Sequence, residues 1–200
     1  MTYNFQKRES YLREYAKYMN MDFHTADEWG VRNRLLDFEL FRKGRQQVVF
    51  NMMEHKGKFL DEQVYIFDYA YTRGSGKQKK RNIQTVFFMQ SKFLGLPEFL
   101  MKPETFFHKV GNYLGLSEDI DFVEHPEFSE QYLLQSPDED RMRGLMNDEM
   151  LRFFTVEKNW SLEGIGYFLI FYKHDTLLSP ATIEYFHKKG LGIYEQLKER

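Results

Sequence analysis

The sequence predicts an α+β fold, with a mostly antiparallel sheet, N-terminal helices and a C-terminal helix packed on it. Two observations support this prediction. Three runs between residues 46 and 90 are rich in β-branched and aromatic residues and alternate with a period of two. Segments with helical spacing lie mainly before and after these runs, and do not alternate with strands as βαβ units would. A chain of 200 residues favours one domain, 1–200.

The first 37 residues are predicted to be a helical segment that precedes a core of residues 45–200. A short polar helix is expected over Arg8–Met19, where tyrosines recur at spacings of four and three. Thr25 and Glu28 have the spacing of a capping box, in which the first side chain caps the helix and the second reaches back. This pattern predicts a second helix from Thr25 to about Asp37.

The three alternating runs predict an antiparallel meander. They are Gln46–Met53, Gln63–Tyr71 and Asn82–Gln90. In the second run, one face carries Tyr65, Phe67, Tyr69 and Tyr71, and the other carries Val64, Ile66, Asp68 and Ala70. Because both faces are largely apolar, the strands are expected to be covered on both sides.

The second half of the chain predicts further strands and helices. The strands are expected at Glu98–Met101, Tyr132–Gln135, Trp160–Glu163 and Tyr167–Tyr172. The helices are expected at Glu104–Tyr113, after a capping box that begins at Ser136, at Asp148–Val156, and from Ser179 to the C-terminus. Gly190 and Gly192 in the last helix predict a kink or a close helix contact.

Composition excludes several classes of site. The chain has no cysteine, which rules out disulfides, thiolate metal sites and a cysteine nucleophile. The net charge of −2 gives no overall attraction to nucleic acid. No apolar run reaches the ~20 residues that a membrane-spanning helix needs. A soluble cytoplasmic protein without a cofactor is therefore expected.

The stretch Gly74-Ser75-Gly76-Lys77 resembles the end of a phosphate-binding loop, but its surroundings argue against one. Tyr71 stands where the first glycine is needed, and Gln78 where the hydroxyl that holds Mg²⁺ is needed. The stretch is better explained as the tip of a hairpin, where glycines adopt positive φ.

A basic run extends through this tip. It consists of Arg73, Lys77, Lys79, Lys80 and Arg81. These cations are candidates for contact with an anion, such as a phosphate backbone or a membrane surface. They are equally consistent with a solvated tip, or with lysines that keep a strand edge from pairing with another chain.

The chain has none of the compact catalytic motifs, and the candidate polar residues are dispersed. Asp68 lies among aromatic residues in mid-strand, so its carboxylate is expected to need a partner such as Arg or Lys if that face is buried. Asp68, Tyr69 and Tyr71 are the candidate ligand-binding residues. No catalytic residue and no metal ligand is assigned, and the acidic stretch Asp119–Glu127 is expected to be a solvated loop.

Several strings, in order, resemble a family of uncharacterised bacterial proteins. They are VYIFDYAYTRGSGK with QTV, then LPEFLMKPE, then DIDF with HPEFSEQYLL, and W with EGIGYFLIFY, all within residues 45–200. Relatives in that family often carry transmembrane helices ahead of this domain. The resemblance therefore implies a position against the inner face of a membrane. This chain would then be either a soluble member without the transmembrane helices or a chain that begins after them. It transfers no catalytic residue.

The function expected from these observations is a non-catalytic module that binds a protein partner or small ligand through an aromatic-rich groove. Two alternatives remain open. One is a hydrolase in which Asp68, Asp121 and His125 meet in the fold. The other is weak binding of nucleic acid or an anionic surface by the basic hairpin 73–81. The oligomeric state is not predicted.

Overall fold

The predicted α+β architecture is confirmed. In the computed structural model, which describes residues 5–56, 61–105 and 119–199, eight antiparallel strands form one sheet. The strands are β1 (Asp22–Ala26), β2 (Arg45–Lys56), β3 (Glu62–Arg73), β4 (Lys80–Ser91), β5 (Leu96–Pro103), β6 (Tyr132–Gln135), β7 (Ser161–Gly166) and β8 (Phe168–Tyr172). Their order in the sheet is β1-β2-β3-β4-β8-β7-β5-β6.

Seven helices surround this sheet in the described residues. They are α1 (Phe5–Tyr18), α2 (Val31–Arg34), α3 (Glu39–Arg42), α4 (Pro126–Ser129), α5 (Glu139–Leu145), α6 (Asp148–Val156) and α7 (Ile183–Leu197). Most of the helix predicted for Glu104–Tyr113 lies outside the described residues, which resume at Asp119.

The predicted meander and its two faces are confirmed. β2, β3 and β4 pair in succession, and Asp68 lies opposite Phe50 on one side and Thr85 on the other. One face packs Ile66, Phe87 and Met89 against residues of α1, α5, α6 and α7. The other face packs its aromatic side chains against residues 31–41, which comprise α2 and most of α3. Both faces therefore have a core.

The helix predicted from Thr25 to Asp37 is wrong. Asp22–Ala26 instead forms β1, which pairs with β2 and closes one edge of the sheet. The short helix α2 follows a turn at Gly30 (φ 66°), and the Asp27 carboxylate accepts hydrogen bonds from the first amides of α2. The N-cap residue of α2 is Gly30, and the Asp27 side chain satisfies the first amides. Pairing of β1 with β2 outweighs the local helix signal at Thr25.

A smaller correction concerns α5. Its N-cap is Asp138, whose side chain accepts from the Arg141 amide, and not Ser136. The Ser136 hydroxyl donates to the Glu98 carbonyl at 2.8 Å, so it joins α5 to β5. Among the described residues, no helix is both long enough and apolar enough to cross a membrane.

Candidate functional site

The basic run forms an exposed tip at the turn of the β3–β4 hairpin. Arg73 pairs with Lys80 at the end of the ladder, and a short 3₁₀ turn spans Gly76–Gln78. Gly74 has φ 71°, and a Cβ there would lie 2.4 Å from the Gln78 carbonyl oxygen, so the turn requires glycine. The prediction of a hairpin tip is confirmed.

Arginines fix the base of this tip, and the lysines are left exposed. Arg45 donates to the Gly74 carbonyl at 2.8 Å, and Arg81 donates to the Gln46 carbonyl at 2.6 Å. The Arg73 guanidinium lies 5.1 Å from the Tyr71 ring centroid. Lys77, Lys79 and Lys80 are exposed.

None of the five cations of the run forms an ion pair within the described part of the chain. Since the net charge of the whole chain is −2, the chain without these five cations is negatively charged. The tip is therefore a positive region on a negatively charged molecule.

Asp68 is fully buried and forms a two-point ion pair with Arg8 of α1. Arg8 donates from Nε to Asp68 Oδ2 and from Nη2 to Oδ1, both at 2.7 Å. Asn51 Nδ2 donates to Oδ2 at 3.0 Å, and the Thr85 hydroxyl donates to Oδ1 at 3.2 Å. The expected buried partner is confirmed, and it is an arginine from the N-terminal helix.

The same network reaches the segment that leads to α7. Arg8 also donates to the Leu178 carbonyl, and the Leu178 amide donates to the Thr85 hydroxyl at 3.1 Å. Asp68 therefore joins α1, the middle of the sheet and the chain before α7. These contacts occupy the carboxylate in holding the fold, and whether Asp68 also contacts a ligand stays a prediction.

Tyr69 and Tyr71 are fully buried on the opposite face of β3. Their rings stack with centroids 5.4 Å apart, and the Phe41 ring lies 4.4 Å from that of Tyr69. The Tyr71 hydroxyl donates to Asp175 at 3.0 Å. Burial raises the pKa of both phenols well above the ordinary value. The aromatic side chains of this strand thus fill a core and do not line an open groove.

Two of the residues considered for a hydrolase, Asp68 and His125, contact different partners. The partners of the Asp68 carboxylate are those named above, whereas His125 Nε2 lies 3.1 Å from Asp148 Oδ1. The backbone carbonyl of Asp121 accepts from Arg143 at 2.7 Å. In the described residues, no group of three or more His, Asp or Glu side chains is arranged to hold a metal ion.

Open grooves lie on the helical side of the described part of the chain. One, of about 310 Å³, runs between α6 and α7 and has Met150, Phe153 and Ile193 in its floor. Another, of about 370 Å³, lies beside His125 and Phe128. Charged side chains of both signs line the first groove, among them Glu149 and Lys188, so it has no single electrostatic preference.

A buried cluster of charges was missed in the sequence. The Glu163 carboxylate on β7 accepts from the Glu39 amide at 2.6 Å, the Leu40 amide at 3.2 Å and the Tyr172 hydroxyl at 2.7 Å. Glu39 is itself buried and forms an ion pair with Lys43. Burial, and then the charge of Glu39, raise the pKa of Glu163 to about 7. Lys102 on β5 is also buried, and burial lowers its pKa.

Comparison with known proteins identifies a fold but no family. No family model matches the chain. No curated protein matches it either. Its fold is similar to that in the crystal structure of the mycobacterial trehalose monomycolate transport factor A, TtfA, with a TM-score of 0.66. The two sequences are 13% identical over 94% of this chain and 90% of the other, so the likeness concerns the fold alone.

Proposed function

We propose that this chain is a non-catalytic module that docks on the anionic face of a membrane through its basic hairpin tip. The observation that carries the proposal is the set of exposed lysines, free of ion pairs in the described residues, on a base held by Arg45 and Arg81. Each cation near an anionic bilayer contributes about 1 kcal/mol of binding free energy. Such a base presents the charges together and lowers the cost of ordering them.

A membrane is preferred to nucleic acid because of how charge is distributed. A polyanion that extended beyond the tip would meet the negative remainder of the molecule, whereas a membrane can be touched by the tip alone. The tip also carries lysines, which act as point charges, without an exposed aromatic platform for stacking bases.

Two further points support a non-catalytic role. Asp68 and His125, which were considered for hydrolysis, are engaged in separate contacts. The structural neighbour is named as a transport factor, a role that does not require chemistry on a substrate. The resemblance to a family with membrane anchors agrees with a site at a membrane surface.

The proposal is tested by co-sedimentation with vesicles of phosphatidylglycerol and phosphatidylcholine at low and high salt. The wild type is expected to bind the anionic vesicles at low salt, to lose binding at high salt, and to ignore phosphatidylcholine alone. The K77E/K79E/K80E variant should bind at least about 100-fold more weakly, since loss of each lysine costs about 1 kcal/mol and each glutamate adds repulsion.

The matched control is K17E/K158E/K188E, which changes the net charge equally at exposed lysines elsewhere. It should retain most of the binding. Equal loss in both triple variants would show a general charge effect and contradict the proposal. Binding to a single-stranded oligonucleotide but not to the vesicles would assign the tip to nucleic acid instead.

A further inference from the structure

The Glu163 carboxylate is the anchor for the start of α3. Its two oxygens accept from two successive amides, those of Glu39 and Leu40, and from the Tyr172 hydroxyl. No side chain of α3 caps these amides, since Phe38 provides no side-chain hydrogen bond. The first amides of α3 are therefore capped by one buried acid from β7, in addition to the apolar packing of Leu40 and Phe41 on the sheet.

Titratable groups face Glu163 from each element packed against it. These groups are Glu39 of α3, Lys43 directly after α3, Lys102 of β5 and Tyr172 of β8, with Tyr71 and Glu104 beyond them. Two carboxylates thus share an interior site with two amines. One oxygen of Glu39, Oε1, is buried without a hydrogen-bond partner among the described residues. A buried acceptor of this kind is costly unless a proton or a donor satisfies it.

The segment from Glu39 to Arg45 connects this site to the hairpin tip. Gln47 Nε2 donates to the carbonyls of Phe41 and Lys43 at 2.7 and 2.9 Å, which fixes the end of α3. Gly44 lies so close to β3 that a Cβ would be 2.7 Å from the Thr72 carbonyl oxygen. The next residue, Arg45, holds the Gly74 carbonyl of the tip.

We propose that the buried Glu163 carboxylate binds a proton, and that this proton controls the seating of α3 and, through Gly44 and Arg45, the order of the basic hairpin tip. With the proton bound, Glu163 is neutral and is no longer repelled by the Glu39 carboxylate beside it. Without the proton, Glu163 adds a second negative charge to a buried site. The effect on the hairpin tip rests on the proposed function, because it would regulate the surface that is proposed to bind the membrane.

The direction of the pH effect follows from the raised pKa of Glu163, about 7. In an unfolded chain the pKa of glutamate is ~4.3, so between these values the folded state binds more protons. The contribution of this site to stability is therefore complete below about pH 4.3. It is lost as pH rises through about 7, and α3 should loosen on the alkaline side.

The first test compares unfolding of the wild type and E163Q in urea from pH 5 to pH 9. Glutamine keeps the shape and resembles the protonated acid, so E163Q should lack this proton linkage. The unfolding constant of the wild type should rise relative to E163Q by up to about tenfold per pH unit between pH 5 and pH 7, and level off above. The control is E98Q, a substitution at another acid that lines the same small cavity.

The second test uses hydrogen exchange in the wild type and needs no substitution. Protection of the Glu39 and Leu40 amides, corrected for the intrinsic rate, should fall as pH rises from 6 to 8. Protection of the Gln78 and Lys79 amides, which bond within the hairpin turn, should fall with it, and E163Q should abolish both changes.

Parallel pH profiles for the wild type and E163Q would overturn the proton site. Protection at Gln78 and Lys79 that is independent of pH would overturn the link to the hairpin. Neither readout involves a vesicle, so failure of the membrane proposal would be seen only in sedimentation and is distinguishable from failure here.

Discussion

Arg8 and Asp68 are joined by two parallel hydrogen bonds of 2.7 Å in the interior of the molecule. Sixty residues separate them in the chain, and the pair fixes α1 against the middle strand of the meander. Because both groups are removed from water, the pair is stable only while both partners are present and their remaining hydrogen bonds are satisfied.

We therefore expect loss of either partner to be strongly destabilising. Asp68→Asn leaves the Arg8 guanidinium buried without its counter-charge, and the free energy of unfolding should fall by about 3–5 kcal/mol in urea denaturation. Arg8→Met should act similarly, and the double variant should cost less than the sum of the two. Arg13→Met, which breaks the exposed pair with Glu9, should cost less than about 1 kcal/mol. An Asp68→Asn variant as stable as the control would contradict this account.

The two glycines of α7 should respond in opposite directions to alanine. A Cβ at Gly190 would lie 2.4 Å from the Phe87 ring, whereas the same atom at Gly192 would have no heavy atom within 4 Å. Gly190→Ala should lower stability by about 1–3 kcal/mol through overpacking. Gly192→Ala should raise it by up to about 1 kcal/mol through helix propensity. The stability of both variants is measured by thermal unfolding. A Gly190→Ala protein at least as stable as Gly192→Ala would refute the close contact between Gly190 and the Phe87 ring.

Stability should also fall in mild acid because of His187. Its ring is buried, and burial, with a smaller effect of His55, lowers its pKa below the ordinary 6.5. The unfolded chain then binds a proton at a pH where the folded chain does not, so stability is lost as pH falls below about 6.5. In urea denaturation from pH 5 to pH 7.5, the free energy of unfolding of His187→Gln should depend less on pH than that of the wild type. The prediction fails if the pH dependence is the same in both proteins.

The central part of the fold was predictable because its signal is local. Tyr65, Phe67, Tyr69 and Tyr71 alternate with a second apolar set, and a period of two with apolar residues in both phases specifies a strand covered on both faces. β1 was not predictable in this way. Its five residues give little strand signal, and they are stabilised by pairing with β2 and by packing against α1.

The candidate sites differ in the same way, because some depend on neighbouring residues in the chain and others form only in the fold. The hairpin tip could be predicted because its glycines and cations are consecutive in the chain. The need of Asp68 for a cationic partner was also predictable, but Arg8 could not be chosen among 28 basic residues. Glu39 and Glu163 each have the appearance of an ordinary charged residue in sequence. They meet only because the sheet places β7 beside β8 and residues 31–41 cover that face.

The place of β8 between β4 and β7 has a consequence for synthesis on the ribosome. β1 to β4 emerge first and can pair in succession, since they are neighbours both in the chain and in the sheet. The outer side of β4 then has no strand to pair with until residues 168–172 are made. At 5–20 residues per second, this delay is on the order of 4–15 s. During that interval the nascent chain exposes the apolar edge of β4, and exposed edges of this kind pair with other chains. In the finished protein the same edge lies in the middle of the sheet.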